Sequence, residues 1–384
     1  MLRFFGRLVL GLFALIGLLA AVAIVVGGIA AWKFASRAPS LPGTMILTTD
    51  LNGGLADGPS EDTLSRLVLG SKITLRDFVD ALERAGGDGR VKGVYIHLGS
   101  DTMALAKTQQ LRDAIAAFRA KGKFAIAFAE SFGELGPGTR PYYLATACNE
   151  IWLQPLGDVG LTGLRAELPF FRGTLDRLGI EAKFGRREDY KTAMNMLTDT
   201  AMTEPQREET EALLNSAEGQ IVGGIAAARK LTPDSVKALI DKGPLLAEEA
   251  KSAHLVDRVG YRDEAIERAH ELAGSGAELT SLSRYLRGAG RPHTNGPAIA
   301  LIYGTGLISS GGSDDSLLGD ERAGAGKLTR AFRAALRDPA VRAIVLRIDS
   351  PGGSAIASET IWREVSRARE RGKPVIASMG DTAA

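Results

Sequence analysis

The chain has 384 residues, 45% of them hydrophobic and 24% charged, with a formal net charge of +2. That length suits one large domain or two of ordinary size, and so small a charge gives no ground for a nucleic-acid or strongly acidic partner. The single cysteine, Cys148, excludes an intramolecular disulfide framework and, set in Leu144-Ala145-Thr146-Ala147-Cys148, reads as a small buried residue.

Leu8–Trp32 is a charge-free run of 25 residues. As a helix it would extend roughly 37 Å, beyond the ~30 Å hydrocarbon core of a bilayer. It also exceeds the about 7–15 apolar residues at the core of a cleavable signal peptide, so it reads as a permanent transmembrane anchor with Trp32 at an interface. Its basic flanks, Arg3 and Arg7 before and Lys33 and Arg37 after, nearly balance and set orientation only weakly. After a polar linker at Ser36–Gly43, Met45–Thr49 reads as a strand, Leu75–Arg84 as a helix and Val91–Leu98 as a buried strand.

An internal repeat begins there. Asp88–Phe128 aligns without a gap on Asp338–Ser378 at an offset of 250, so that Val91 meets Val341, Ser100 meets Ser350 and Lys123 meets Lys373. Met45–Leu82 recurs as Ile299–Leu336. A gapless repeat predicts two copies of one α/β unit. Between them, strands are expected around Ile151–Leu156 and Val159–Leu164, and helices near Thr174–Leu178, Pro205–Lys230 and Pro233–Ile240. The polar, Gly/Ser-containing stretch 273–297 reads as a connector. The expected domains are 1–35 (stub and anchor), 45–272 (first copy), 273–297 (connector) and 298–384 (second copy).

The second copy carries the most informative residues. Ala343–Ile348 reads as a buried strand ending in the turn Asp349-Ser350-Pro351-Gly352-Gly353, Ser358–Arg371 as a helix, and Pro374–Met379 as a second strand followed by a turn at Gly380–Ala384. A domain seldom ends on a strand and half a turn, so the chain reads as truncated within this copy. Val345–Ser354 (VLRIDSPGGS) and Lys373–Ala384 (KPVIASMGDTAA) resemble the signal peptide peptidase A (protease IV) family, serine peptidases of the Clp/crotonase superfamily.

The resemblance implies an α/β fold of tandem Clp/crotonase-like repeats, the second incomplete, behind one N-terminal transmembrane helix. In that family the second motif continues alanine-alanine-serine-glycine-glycine-tyrosine, which places the nucleophilic serine directly after Ala384. It further implies a Ser/Lys dyad whose general base is Lys191, in Tyr190-Lys191-Thr192-Ala193 of the first copy. Such a lysine must be desolvated to take the serine proton. Gly352 and Gly353 would supply backbone N–H groups to the oxyanion, with Gly353 the preferred donor. The first copy has Asp101-Thr102-Met103 in place of the Pro-Gly-Gly turn and no well-placed serine, so it could not house the reaction by itself. Resemblance also implies cleaved signal peptides as substrates, association with the lipid bilayer, a homotetramer, and a single-pass protein of the cytoplasmic membrane whose catalytic part faces outward.

Other patterns are weaker. Ser350, Ser354 and Ser378 read as structural, because none sits on an exposed strand-to-helix elbow. Gly304-x-Gly306-x-x-Ser309 and Ala323–Leu328 (AGAGKL) fall short of nucleotide-binding signatures. His97, His254, His270 and His293 share no metal-ligand spacing, so no metal or other cofactor is expected. Two alternatives stay open: an inactive membrane-anchored crotonase-like binding scaffold, and an acyl-CoA enzyme using the same oxyanion device.

Overall fold

The structure, a computed structural model, describes residues 39–58, 73–134, 136–311 and 322–383, together with the single residue Gly17. The anchor expected at Leu8–Trp32 lies outside this described part, as does Ala384. No helix among the described residues is long and apolar enough to cross a membrane.

The first unit alternates strand and helix: β1 (Met45–Asp50), α1 (Leu75–Gly86), β2 (Val91–His97), α2 (Leu105–Arg119), β3 (Phe124–Ala129), α3 (Thr139–Ala145) and β4 (Glu150–Leu153). Thr74 starts α1 with a capping box: its Oγ1 accepts from Asp77 N at 3.1 Å, and Asp77 Oδ2 accepts from Thr74 N at 3.0 Å. Each helix carries the chain back over the sheet, so β1 to β4 pair in parallel. Covering on both faces explains why β2 is buried at six of its seven positions, which read as a continuous apolar run rather than an alternation.

Beyond β4 come β5 (Asp158–Val159), α4 (Arg172–Arg177), α5 (Asn195–Thr198), α6 (Glu204–Arg229), α7 (Pro233–Lys242), β6 (Leu245–Leu246), α8 (Ala247–Ser252), β7 (Arg258–Val259) and α9 (Arg262–Ala273). The strand expected at Val159–Leu164 is only two residues of β5, paired antiparallel with β6. The stretch expected to be a connector differs more. It holds β8 (Glu278–Ser281) and α10 (Leu282–Ala289), and β8 pairs in parallel with β1. The first sheet therefore runs β7-β4-β3-β2-β1-β8. Leu282, Tyr285 and Leu286 of α10 enter the main core beside Phe78, Leu82, Leu111 and Phe118. The polar composition of 273–297 hid this, because only three residues on one face of a short helix carry the packing. Burying each Leu, Ile or Phe side chain contributes about 1.5–3 kcal/mol. Cys148 joins the same core, where burial pushes its thiol up to about 12.

The second unit comprises β9 (Ala298–Thr305), β10 (Leu307–Ser309), β11 (Arg322–Gly324), α11 (Ala325–Arg337), β12 (Val341–Ser350), α12 (Ala355–Glu370) and β13 (Val375–Ala383). Its main sheet is β13-β12-β9, all parallel. The pairing of β12 with β13 repeats that of β2 with β3 at the offset of 250, whereas the upstream alignment of Met45 on Ile299 is one residue off. Ile46 pairs with Gly93 as Ile299 does with Ala343, because each ladder shifts at its first pair. Val94 pairs with Ala125 and Ile344 with Val375, each 250 residues on. The β1–β2 ladder shifts between Val91 and Gly93, and the β9–β12 ladder shifts between Val341 and Ala343. Lys123 Nζ donates to Asp88 O at 3.0 Å, and Lys373 Nζ to Asp338 O at 2.7 Å. The turn expected at Gly380–Ala384 is instead strand: β13 continues to Ala383 through an irregularity opposite Ile348–Ser350. Asp349 makes this possible by accepting from Thr382 N at 3.0 Å where the regular ladder breaks.

If 278–289 belongs to the first core, Tyr285→Ala should cost about 3–5 kcal/mol, the range for deleting a buried aromatic ring. Chemical denaturation measures it; a connector position would change stability by no more than about 0.5 kcal/mol.

Candidate active site

The glycine turn lies between the end of β12 and α12. Gly352 and Gly353 have φ of +92° and +152°, backbone that residues with a β-carbon rarely adopt. Ile308 of β10 holds the turn from one side. Its N–H donates to Gly352 O at 2.8 Å, and its carbonyl accepts from Ser354 N at 3.0 Å. A β-carbon on Gly353 would run into the Ile308 backbone, so this close approach requires glycine.

The two glycine N–H groups differ. Gly352 N donates to Ser350 Oγ at 3.1 Å. Gly353 N has no partner among the described residues, and Gly353 is exposed. A free backbone donor at the mouth of a parallel sheet can receive a developing oxyanion. The same bonds explain the nearby serines. Ser350 is buried and serves the turn, Ser354 caps α12 by accepting from Ala357 N at 3.3 Å, and Ser378 Oγ lies 3.2 Å from Arg347 Nη1.

Lys191 sits elsewhere. Its neighbours are anchored to α6, Tyr190 through its hydroxyl to Glu208 Oε2 at 2.6 Å and Thr192 through Oγ1 to Glu209 Oε2 at 3.3 Å. Just after it, the fully buried Asn195 donates to Thr203 Oγ1 at 3.1 Å and Gln206 Oε1 at 3.2 Å. Lys191 itself is exposed, and among the described residues no hydrogen bond or ion pair joins it to the glycine turn. The desolvation expected of a lysine base is therefore not supplied by the described residues. The physical reason is that 165–194 runs outside the core, with Phe171, Leu178, Ile180 and Phe184 open to solvent.

Beside the glycine turn is a cluster that sequence reading missed. Asp57, after β1, receives Arg347 of β12 through Nη2 at 2.9 Å and Lys107 of α2 through Nζ at 2.7 Å. Lys107 Nζ also lies 3.1 Å from Asp349 and 3.4 Å from Asp381. Burial, then a hydrogen bond with the Asp349 carboxyl, raises Asp57 against the pull of Lys107 and Arg347. Burial works against the ionised Asp349 too, but its bonds to Asp57, Thr382 N–H and Lys107 hold it below the usual carboxylate range. Lys107 is raised: burial disfavours its charge, and the carboxylates of Asp57 and Asp349 more than offset that. No signal in the sequence links residues 290 apart; only the Arg347 and Asp349 positions inside the motif pointed here.

In the first unit the residue 250 before Arg347 is His97, held between Asp50 Oδ2 at 2.7 Å and Glu130 Oε2 at 2.6 Å.

Comparisons with known proteins now bear on these residues. Residues 117–275 match the model of peptidase family S49. Over 384 aligned residues the chain is 32% identical to protease 4 of Haemophilus influenzae, covering 91% of this chain and 59% of that one. It is 30% identical to the chloroplastic serine protease SPPA of Arabidopsis thaliana, covering 88% of this chain and 49% of that one. Protease 4 of Salmonella typhi is 29% identical, with 88% and 57% covered.

The chain belongs to the signal peptide peptidase A family. It spans about half to three-fifths of the length of these relatives. The VLRIDSPGGS motif that resembles this family is the end of β12 and the glycine turn, and residues 375–383 of KPVIASMGDTAA form β13, its parallel neighbour.

Gly353→Ala should break the contact with Ile308 and destabilise the turn by about 1–3 kcal/mol, the cost of forcing a β-carbon into a conformation reserved for glycine. Thermal unfolding checks it, and an unchanged melting temperature would contradict the close approach.

Proposed function

We propose that this chain is the major part of a membrane-anchored serine endopeptidase with a Ser/Lys dyad, acting on signal peptides left in the bilayer after their release. The single observation that carries the proposal is the N–H of Gly353, without a partner among the described residues and held at the end of β12 by Ile308, in a chain whose relatives are proteases. In this reading the first and second units are two crotonase-like copies, which the shared register and the paired Lys123 and Lys373 contacts support. The nucleophile is a serine directly following Ala384, adjacent to the end of β13. Its hydroxyl attacks the peptide carbonyl while Lys191 takes the hydroxyl proton, Gly353 N–H receives the oxyanion, and the protonated lysine returns the proton to the leaving amine.

Lys191 must lose solvent to act in this way. The exposed Phe171, Leu178, Ile180 and Phe184 of its loop suit burial against further subunits or segments, which fits a homotetramer. Leu8–Trp32 would span the cytoplasmic membrane once and hold the catalytic part on its outer side, close to apolar substrates. No metal or cofactor enters this chemistry. The second reading, an inactive anchored binding scaffold, is favoured by one observation, the solvent exposure of Lys191.

Lys191→Ala in the full-length protein decides between them. The dyad requires turnover of an apolar peptide to fall by about 10²–10⁴-fold with folding intact, the range for removing a general base. Undiminished turnover, followed by chromatographic detection of cleaved peptide, would remove Lys191 from the mechanism.

A further inference from the structure

The two main sheets share no strand, so the glycine turn sits against the first unit through contacts other than a common ladder. A charged cluster around Lys107 is one such link. We propose that Lys107 is a positioning residue for peptide hydrolysis: from α2 of the first unit it holds both the glycine turn and the end of β13 in the second. The inference rests on the reading above, in which Gly353 N–H receives the oxyanion.

The contacts reach both strand ends at once. Asp349 immediately precedes the Ser350-Pro351-Gly352-Gly353 turn, and its Oδ2 receives Lys107 Nζ while its Oδ1 receives Thr382 N. Asp381 lies near the end of β13, and it receives both the Lys107 backbone N–H, at 3.0 Å on Oδ1, and the ammonium on Oδ2. Asp57 closes the arrangement from the first unit, held also by Arg347. A lysine suits the place because a compact ammonium can face three carboxylates, whereas a planar guanidinium pairs best with one.

The cluster is built rather than incidental. The Lys107 side chain is only 15% exposed, and those of Asp57 and Arg347 are 2% and 7% exposed. The residue 250 positions on from Lys107 is Ala357, so the cation belongs to one unit and its strand-end partners to the other. Its carboxylate neighbours favour the charged form, which makes Lys107 a poor proton acceptor and separates its role from that of Lys191. Three carboxyls face two cations here, and the hydrogen bond between the Asp57 and Asp349 carboxyls raises the first and lowers the second. Removing Lys107 takes one of the two cations away from these carboxyls beside the turn, in a place with little water to screen them.

The test compares Lys107→Met, the double variant Lys107→Met/Asp381→Asn and Lys191→Ala with the wild type, all as the full-length protein, on one apolar fluorogenic peptide. Lys107→Met keeps the length of the side chain without its charge. Positioning requires kcat to fall about 10²-fold at unchanged KM, the scale of an ångström-sized misplacement at a reacting centre. In the double variant one carboxylate is neutralised along with the cation, so the melting temperature recovers while kcat stays low. Wild-type kcat in Lys107→Met would overturn the proposal. So would recovery of kcat together with the melting temperature in the double variant, since Lys107 would then only balance charge. Should Lys107→Met fail to fold, the double variant decides alone by the same criterion. Lys191→Ala separates the two levels: if it is inactive while Lys107→Met turns over normally, positioning fails and the dyad stands. Undiminished turnover in Lys191→Ala removes the dyad instead.

Discussion

Everything near the glycine turn depends on one buried constraint, the meeting of Lys107 and Arg347 with the carboxylates of Asp57, Asp349 and Asp381. Backbone hydrogen bonds hold each sheet together, but among the described residues none runs from one main sheet to the other. Charges out of water are costly unless each finds a partner in good geometry. The cluster meets that condition with carboxylates from three separate stretches of chain, and so it tolerates few relative placements of the two units. A set of apolar contacts would have permitted sliding; a cation facing three carboxylates does not.

From that constraint follows the shape of the turn. Asp349 is pinned on both oxygens, so β12 ends in a defined direction, and Ile308 then clamps Gly352 and Ser354. The clamp uses up the Gly352 carbonyl and the Ser354 N–H, while Ser350 Oγ occupies the Gly352 N–H. Gly353 N–H is what remains, pointed where no described residue meets it. Preorganisation of this kind is what gives a backbone donor value in acyl transfer, because the dipole need not reorient when charge develops.

The lysine loop obeys different physics. Tyr190, Thr192 and Asn195 fasten it to α6 by polar bonds, yet Phe171, Leu178, Ile180 and Phe184 stay exposed among the described residues. The described residues do not bring together the donor fixed in one unit and the lysine on the open surface of the other.

Much of this was legible in the residues. Apolar runs located β1, β2, β12 and β13, and the glycines located the turn; the offset of 250 matches the pairing of β2 with β3 to that of β12 with β13, while the alignment of Met45 on Ile299 falls one residue from the observed register. These are local properties, set by side-chain pattern and backbone freedom within a few residues. What lay hidden was non-local. The 278–289 segment looks like polar linker until Leu282, Tyr285 and Leu286 meet the core, and β13 outlasts Gly380 because Asp349, a residue of another strand, binds Thr382 N. Lys107 and Asp57 look like ordinary surface charges, since nothing in the chain near them names their partners. The sequence by itself determined the principal strands and helices, the glycine turn and the family. Only the tertiary structure decided which charges are buried together, which glycine N–H is left free and that Lys191 stands in solvent, because burial is a property of what packs around a residue and not of the residue.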